Sequence, residues 1–558
     1  MNHKKKALLS LAVAHASMAL ALDATAADFS VTSGADSGTG TLREAMGFAS
    51  SGDTITIDAD AVSTIGLDSS LTASSKALII SAPVDAAGKP RVTISANSTG
   101  FRLLSLDAPG PDPVPFVISG VELSGADVDG PGGAIFAENH ALVIDKSVIT
   151  GNTAVGVGGG VAALGGELCL QGSELSDNTV TAESSGAGQY AIGGGAAVNG
   201  ILNVVPSSDD YGDSVNCLVS TPAAGLFTSV SSEFADAAAD LAGNPEDVDF
   251  IPSTVSGNTA EITADVDLED KKYIALGGGL AVLKSNFDQV DSLFLDTDCT
   301  AYFGGKYGGG GDEPERQCTT IAASSVSGNE AKVTTEAGDY EPQYSLVSGG
   351  GIFIGTPGVE VGTLLATKYA DISDNKVTLT GAGALGHDVV VGAGIGALNS
   401  DLPFDVSPFW DSTTGDPECP DGDAKYCGNH VSVGASTVTG NTASIDLDPV
   451  LDEGPSLNLI AGGGIGAINL FDSGLDLDKY ETAPRVQSIF SSISGNTVDA
   501  DTTDEFFSAI GGGIAVGTGL VDAPFEVANQ FAYGKYFGLF SGNSGNEILV
   551  TGANDGAV

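Results

Sequence analysis

Apolar and polar residues alternate on a period of two in short bursts along this chain. Ser253, Thr254, Val255, Ser256, Gly257, Asn258, Thr259, Ala260, Glu261 and Ile262 form one such burst. Period two is the signature of a strand with one face buried, and Gly beside Asn interrupts it with a tight turn. Asn tolerates the left-handed conformation that ends a strand sharply, and the neighbouring Gly removes the steric penalty. The same interruption recurs seven times, as ITGN, LSDN, VSGN, VSGN, ISDN, VTGN and ISGN, ending at Asn152, Asn178, Asn258, Asn329, Asn375, Asn441 and Asn496. A glycine run follows each: Gly158 to Gly160, Gly193 to Gly195, Gly277 to Gly279, Gly349 to Gly351, Gly392 with Gly394, Gly462 to Gly464, and Gly511 to Gly513.

Self-similarity of this kind predicts a solenoid, because stacked copies bury a shared core that no single copy could bury. From Asn to the end of the next glycine run is 17 to 23 residues in most units, which reads as one coil of three short strands and three turns. Stacking then sets Asn over Asn, each amide donating to one neighbour and accepting from the other. The glycines mark tight corners or close backbone approach. No Lys-Ser/Thr follows any run, so they do not read as a phosphate loop. Long excursions at about 200 to 250, 283 to 322 and 399 to 434 all leave after a glycine run, so they are expected to form a crest on one face. That crest holds the only Trp, Trp410, and most of the cysteines.

Residues 1–26 have a basic start (Lys4, Lys5, Lys6), an apolar middle and Ala24 and Ala26 at cleavage spacing, which reads as a secretory signal peptide. Its removal takes Lys+Arg from 21 to 18 and Asp+Glu from 72 to 71, for a mature charge near −53. Such a surface repels nucleic acid and anionic lipid. No later stretch has the length of apolar residues that a transmembrane helix needs. Gly, at 78 of 558, is about twice its usual share, but it falls in phased runs rather than in a disordered tract. Export makes disulfides the default for Cys169, Cys217, Cys299, Cys318, Cys419 and Cys427. Of the 15 possible pairings, Cys299 with Cys318 and Cys419 with Cys427 close short loops, leaving Cys169 for Cys217.

Two resemblances extend this reading. Ser37 to Met46, followed by Gly52, Asp53, Thr54 and Ile55, resembles the CSLREA segment that opens many exported bacterial β-helix proteins, with Thr39-Gly40-Thr41 in place of the Cys-Ser. The resemblance implies a short amphipathic helix from Leu42 through Met46, with Phe48 and Ala49, capping the first coil, and a stack beginning at the DTITI strand. The repeats resemble those of the polymorphic outer membrane proteins: Gly132 to Ile135 spells GGAI and Phe540 to Asn543 spells FSGN. Together they imply an all-β, single-stranded right-handed parallel β-helix of the pectin-lyase-like kind. The organisation expected is a signal peptide at 1–26, a cap with the first strand at 27–60, the β-helix at 61–545 and a tail at 546–558. The last residues show neither barrel strands nor a sorting tail, so the expectation is release, retention at the surface by a partner, or a sequence that is a truncated copy of a longer one.

Lyases of this fold use Arg or Lys as base beside calcium held on carboxylates, and its hydrolases use paired Asp with His. Here the mature chain has only Arg43, Arg91, Arg102, Arg316 and Arg485, and only His140, His387 and His430. None lies near an Asp pair on a repeat strand, and His387, in a glycine-rich stretch, reads as a structural loop residue. The expectation is therefore a non-catalytic, secreted or outer-membrane-associated protein, an adhesin-like scaffold for a surface glycan or protein ligand. No cofactor and no catalytic residue are expected. The alternatives are a polysaccharide lyase or glycoside hydrolase, and an envelope-layer protein. Asp421 with Asp423, Asp291 with Asp296 and Asp298, and Asp127 with Asp129 are the places where calcium could bind weakly, although none follows the EF-hand order.

Overall fold

The computed structural model describes residues 26–109, 113–185, 188–208, 250–263, 272–283, 319–335, 343–357, 363–382, 386–400, 429–448, 457–472, 484–501, 507–522, 526–527, 535–539 and 541–551. Apart from one seven-residue helix it is all β, and nearly every strand pairing is parallel and in register. The chain winds as a parallel β-helix.

One turn of the winding shows the plan. Thr254–Ser256 belongs to an eleven-stranded sheet, here called the hydroxyl sheet because Ser and Thr face outward from it. After Gly257 and Asn258 the chain enters Thr259–Thr263, in an eight-stranded outer sheet. It returns through Lys272–Leu276, in a seven-stranded middle sheet, and passes Gly277 to Gly279. Leu280–Leu283 and Thr319–Ala322 then lie in the first and second strips of the largest sheet, before Ser325–Ser327 restarts the cycle on the hydroxyl sheet.

Alternation places each side chain. Val255, Val326, Ile372, Val438 and Ile493 point inward from the hydroxyl sheet to meet Leu280, Val282 and Ile321 in the main core. The middle sheet is covered on both faces: Ile274 and Leu276 pack on Ala281 and Leu283, while Tyr273 and Ala275 pack on Ala260 and Ile262 of the outer sheet. Each later coil is thus a three-sided winding plus a folded strand pair laid against one side. The span from Asn to the glycine run is therefore that added strand pair rather than a complete coil, which corrects the three-strand count expected for it.

The ends also differ from expectation. Helix α1 (Leu42–Phe48) is held by a capping box in which Thr41 Oγ1 accepts from Glu44 N–H at 3.3 Å and Glu44 Oε2 accepts from Gly40 N–H at 2.6 Å. Leu42, Ala45 and Met46 are buried against the first coil, but Phe48 is exposed rather than part of the packed face. Thr54–Ile57 does not begin the stack, since Asp28–Val31 pairs with it from the N-terminal side. At the other end Glu547–Thr551 pairs with Thr497–Asp501, so the stacking runs past residue 545.

Candidate functional site

The asparagine corner fixes the geometry of the whole column. Residues before the Asn take positive φ: Gly151, Asp177, Gly257, Gly328, Asp374, Gly440 and Gly495 lie between 54° and 67°. The left-handed residue is therefore the Gly or Asp and not the Asn, as the chemistry of the Asn column requires. Each Asn side chain is buried and bridges rungs. Asn152 Nδ2 donates to Asn178 Oδ1 at 3.0 Å and to the Leu123 carbonyl at 3.1 Å, and its backbone N–H shares the same Oδ1 at 3.1 Å. The contact repeats from Asn178 to Asn258, Asn329, Asn375, Asn441 and Asn496 at 2.9–3.0 Å, then to Asn546. Asn152 Oδ1 closes the lower end on Ala126 N–H. Asn546, not Asn543 of the FSGN tetrad, is thus the eighth member.

A serine column, which the sequence analysis does not include, stands at the corner between second strip and hydroxyl sheet. Ser147 N–H donates to Ser173 Oγ, Ser173 N–H to Ser253 Oγ, Ser436 N–H to Ser491 Oγ and Ser491 N–H to Ser541 Oγ, at 3.1–3.2 Å. These serines sit five residues before each Asn, a fixed offset that a repeat alignment reveals; only Ala370 departs from it.

At the glycine corner a side chain has no room. A Cβ on Gly278 would collide with the carbonyls of Glu330 and Gly350, and Gly277 itself holds φ 63°. The runs are thus the close-approach points of the stack.

The insertions decide what the column can present. In the narrow N-terminal coils the corner between first and second strips is a tight turn, made by Asn139 at φ 52° and Gly165 at φ 67°. In later coils residues 284–318, 358–362, 401–428 and 473–483 join first-strip strands to second-strip strands at this corner. The excursion after residue 200 does not share it. Ala196–Val205 runs unbroken through both strips, and the chain leaves only after Ser207–Ser208, which pairs antiparallel with Phe250–Ile251.

Beside that corner, the side of the second strip that faces away from the core is also buried. Glu167, Cys169, Gln171, Asn203, Thr320 and His430 are all at most 5 % exposed. Asp145 there accepts from Ser119 Oγ at 2.9 Å and Ser207 Oγ at 3.3 Å. Cys169 is disulfide-bonded; Cys217, Cys299, Cys318, Cys419 and Cys427 lie outside the described residues, as do Trp410 and the signal segment. His140 is fully buried, its Nδ1 2.8 Å from the Glu138 carbonyl and its ring edge-on to Phe116; burial holds its pKa below the usual imidazole value. His430 lies on the same strip five rungs along, roughly 24 Å away at ~4.8 Å per rung, so the two do not form a pair. His387 stands on the strand Gly386–Val391 and not in a loop.

The arginines serve structure where they are described. Arg43 pairs with Asp36 and donates to the Ser69 and Ser70 carbonyls, pinning the cap; Arg91 pairs with Asp60 at 2.7 Å; Arg102 lies over the Phe136 ring at 4.9 Å. Arg485 opens a second-strip strand, and Arg316 is outside the described residues. Asp127 and Asp129 are exposed, while Asp291, Asp296, Asp298, Asp421 and Asp423 lie outside the described residues. Among the described residues no three His, Cys, Asp or Glu are grouped to hold a metal ion, and no helix is long and apolar enough to cross a membrane. Searches of family models, curated proteins and solved structures find no match to this chain.

Proposed function

We propose that this chain is a non-catalytic, exported scaffold of the adhesin-like kind, which displays loops along one edge of a rigid column for contact with a surface glycan or protein. The observation that carries this reading is the shared corner. Four connections, 284–318, 358–362, 401–428 and 473–483, leave between the same two strips, while the Asn contacts at another corner of the same coils stay at 2.9–3.0 Å. Variable connections on an invariant stack are the arrangement by which repeat proteins build extended binding surfaces. The basic-then-apolar N-terminus supports export, and the CSLREA-like segment and GGAI tetrad support kinship with surface β-helix proteins of the right-handed, pectin-lyase-like type.

Purified residues 27–558 should bind a subset of immobilised cell-surface glycans or host-surface proteins. Replacing 401–428 by a short Gly-Ser linker should abolish that binding while the thermal unfolding profile is retained. Release of unsaturated products or reducing ends from pectate, alginate or neutral glycans would overturn the non-catalytic reading.

A further inference from the structure

Asp53 is a nearly buried carboxylate, 8 % exposed, at the N-terminal end of the stack. Its Oδ1 accepts from Ala27 N–H and its Oδ2 from Ser50 N–H, both at 2.7 Å. Among the described residues no Lys or Arg comes within ion-pair distance of it. The charged groups around it are engaged elsewhere: Lys76 Nζ donates to the Met46 carbonyl at 3.1 Å, Arg43 of α1 pairs with Asp36, Glu44 of α1 accepts from Gly40 N–H, and Asp28 Oδ1 accepts from Thr56 Oγ1 at 2.9 Å. Two neutral donors leave the charge of an enclosed carboxylate only partly compensated, so a cation is the partner it lacks. The Ala27 N–H, ahead of the Ser50 N–H, holds the Asp53 carboxyl below its ordinary pKa, and the group is ionised at neutral pH.

We propose that this cation is the α-ammonium of Ala27, made when residues 1–26 are removed, and that the resulting ion pair locks the first strand onto the stack only in the processed chain. The inference rests on the export reading, in which Ala24 and Ala26 stand at the spacing that a signal peptidase cuts behind. Hydrolysis of the Ala26–Ala27 peptide consumes one water. The Ala26 carbonyl carbon takes its oxygen and becomes a carboxylate, while the Ala27 nitrogen keeps the electron pair of the broken bond and ends as an ammonium. That nitrogen already lies against Asp53 Oδ1, so cleavage changes its charge without requiring it to move. A neutral donor thereby becomes a charged one, which makes the stronger hydrogen bond. The lock reaches the strand directly: the Ala27 carbonyl accepts from Thr54 N–H at 2.9 Å, and Asp28–Val31 follows in register on Thr54–Ile57. This end of the stack is therefore closed fully only after the leader is gone, when an exported chain is free to fold.

In chain 27–558 at neutral pH, amide protection over Asp28–Val31 should be about threefold higher than in the same chain with its Ala27 amine acetylated, the size of effect a half-exposed ion pair has. Protection over Val121–Ser124 should be the same in both. The carboxylate favours the charged amine, which should titrate above the ~7.7–8.0 of an ordinary chain end. The added protection is therefore full below that range and is lost as pH rises past the raised value. Asp53→Asn should bring the unmodified chain to the acetylated level or below it, and acetylation should then have no further effect. Acetylation leaves the sequence intact, so it reads the pair however that variant folds. Equal protection with and without acetylation, or an amine that titrates at its ordinary value, overturns the proposal. N-terminal sequencing of the protein from its own cells separates the two readings. A chain that stays uncut takes the export reading down with this one; an exported chain that begins elsewhere, or begins at Ala27 without the acetylation effect, overturns the ion pair alone.

Discussion

The coils up to Asn178 and those after it share one core but differ in girth. In the first group equivalent residues recur at shorter intervals, from 25 residues between Thr54 and Ile79 to 38 between Leu78 and Phe116, and 26 from Asn152 to Asn178. In the second the interval is 80, 71, 46, 66, 55 and 50 residues. The Asn contacts do not change across the boundary. A solenoid can therefore gain mass without altering its pitch, provided the additions enter at corners and carry their own burial. The middle and outer sheets do this by packing on each other and on the first strip, forming two cores apart from the main one.

The largest test of this division is Phe353→Ala. Phe353 is fully buried in the core between middle sheet and first strip. Truncation there should cost ~3–5 kcal/mol, seen as a lowered denaturant midpoint. Hydrogen exchange should accelerate in the middle-sheet strands Gln343–Ser348, Gly386–Val391 and Leu457–Ala461, and stay slow in Val92–Ala96 and Val121–Ser124, because repeats respond mainly with their neighbours. Uniform acceleration from end to end would show a single cooperative unit and remove the distinction.

Asn329→Ala tests the element the two regions share. The substitution removes one amide that donates to the Val255 carbonyl at 3.0 Å and to Asn375 Oδ1 at 2.9 Å, and takes away the Oδ1 that Asn258 N–H and Nδ2 share, leaving Asn258 only the Leu175 carbonyl for its amide. A loss of ~1–3 kcal/mol is expected, and Asn152→Ala in the narrow region should cost a similar amount. A column worth much more in one region than in the other would mean that girth, not the Asn ladder, sets stability.

Acid should separate the regions in a third way. Burial holds the His140 pKa below its ordinary value, so the native state resists taking up the proton that the unfolded chain binds. Its contribution is therefore fully present above the ordinary imidazole pKa, near 6.5, and is lost as pH falls below that. Protection factors over His140–Asp145 and its neighbour Val114–Ser119, which allow for the slower intrinsic exchange in acid, should fall between pH 7 and 5, and His140→Gln should flatten the dependence. An unaltered pH profile in that variant would place the acid sensitivity elsewhere.

How far these features could be read in advance follows from their periodicity. The hydroxyl-sheet strands alternate cleanly, as in Thr254–Ser256 and Ser325–Ser327, and each ends in the same turn, so the stack and the Asn positions stand out. The middle sheet does not alternate. Ile274, Ala275 and Leu276 are buried in succession because both faces are covered, and such a run is not distinguished by period from any other buried segment. The repeat pattern alone therefore merges it with a neighbouring coil. The serine column hides because Ser is also the residue on the solvent side of these strands. Which corner each insertion leaves from depends on whether a strand continues through it, as Ala196–Val205 does, and glycine runs alone do not report that.

The smallest expected effect concerns the ion pair that ties an early loop to the rung just before the widening. Lys89 Nζ lies 2.9 Å from Glu174 Oε2, with the two side chains 60 % and 33 % exposed. The lysine hydrogen bond is the largest of the effects that hold the Glu174 pKa below its ordinary value, followed by burial, which opposes it. A lowered carboxylate pKa contributes stability above the ordinary glutamate value that is lost as pH falls below it. Water screens so exposed a pair, and Lys89→Ala should cost at most ~1 kcal/mol in low salt and less in high salt. Glu174 also accepts from Ser176 Oγ at 3.0 Å, so it keeps a partner in the variant. A cost well above this, insensitive to salt, would show the loop around Lys89 bracing the transition from narrow to wide coils instead of merely decorating it.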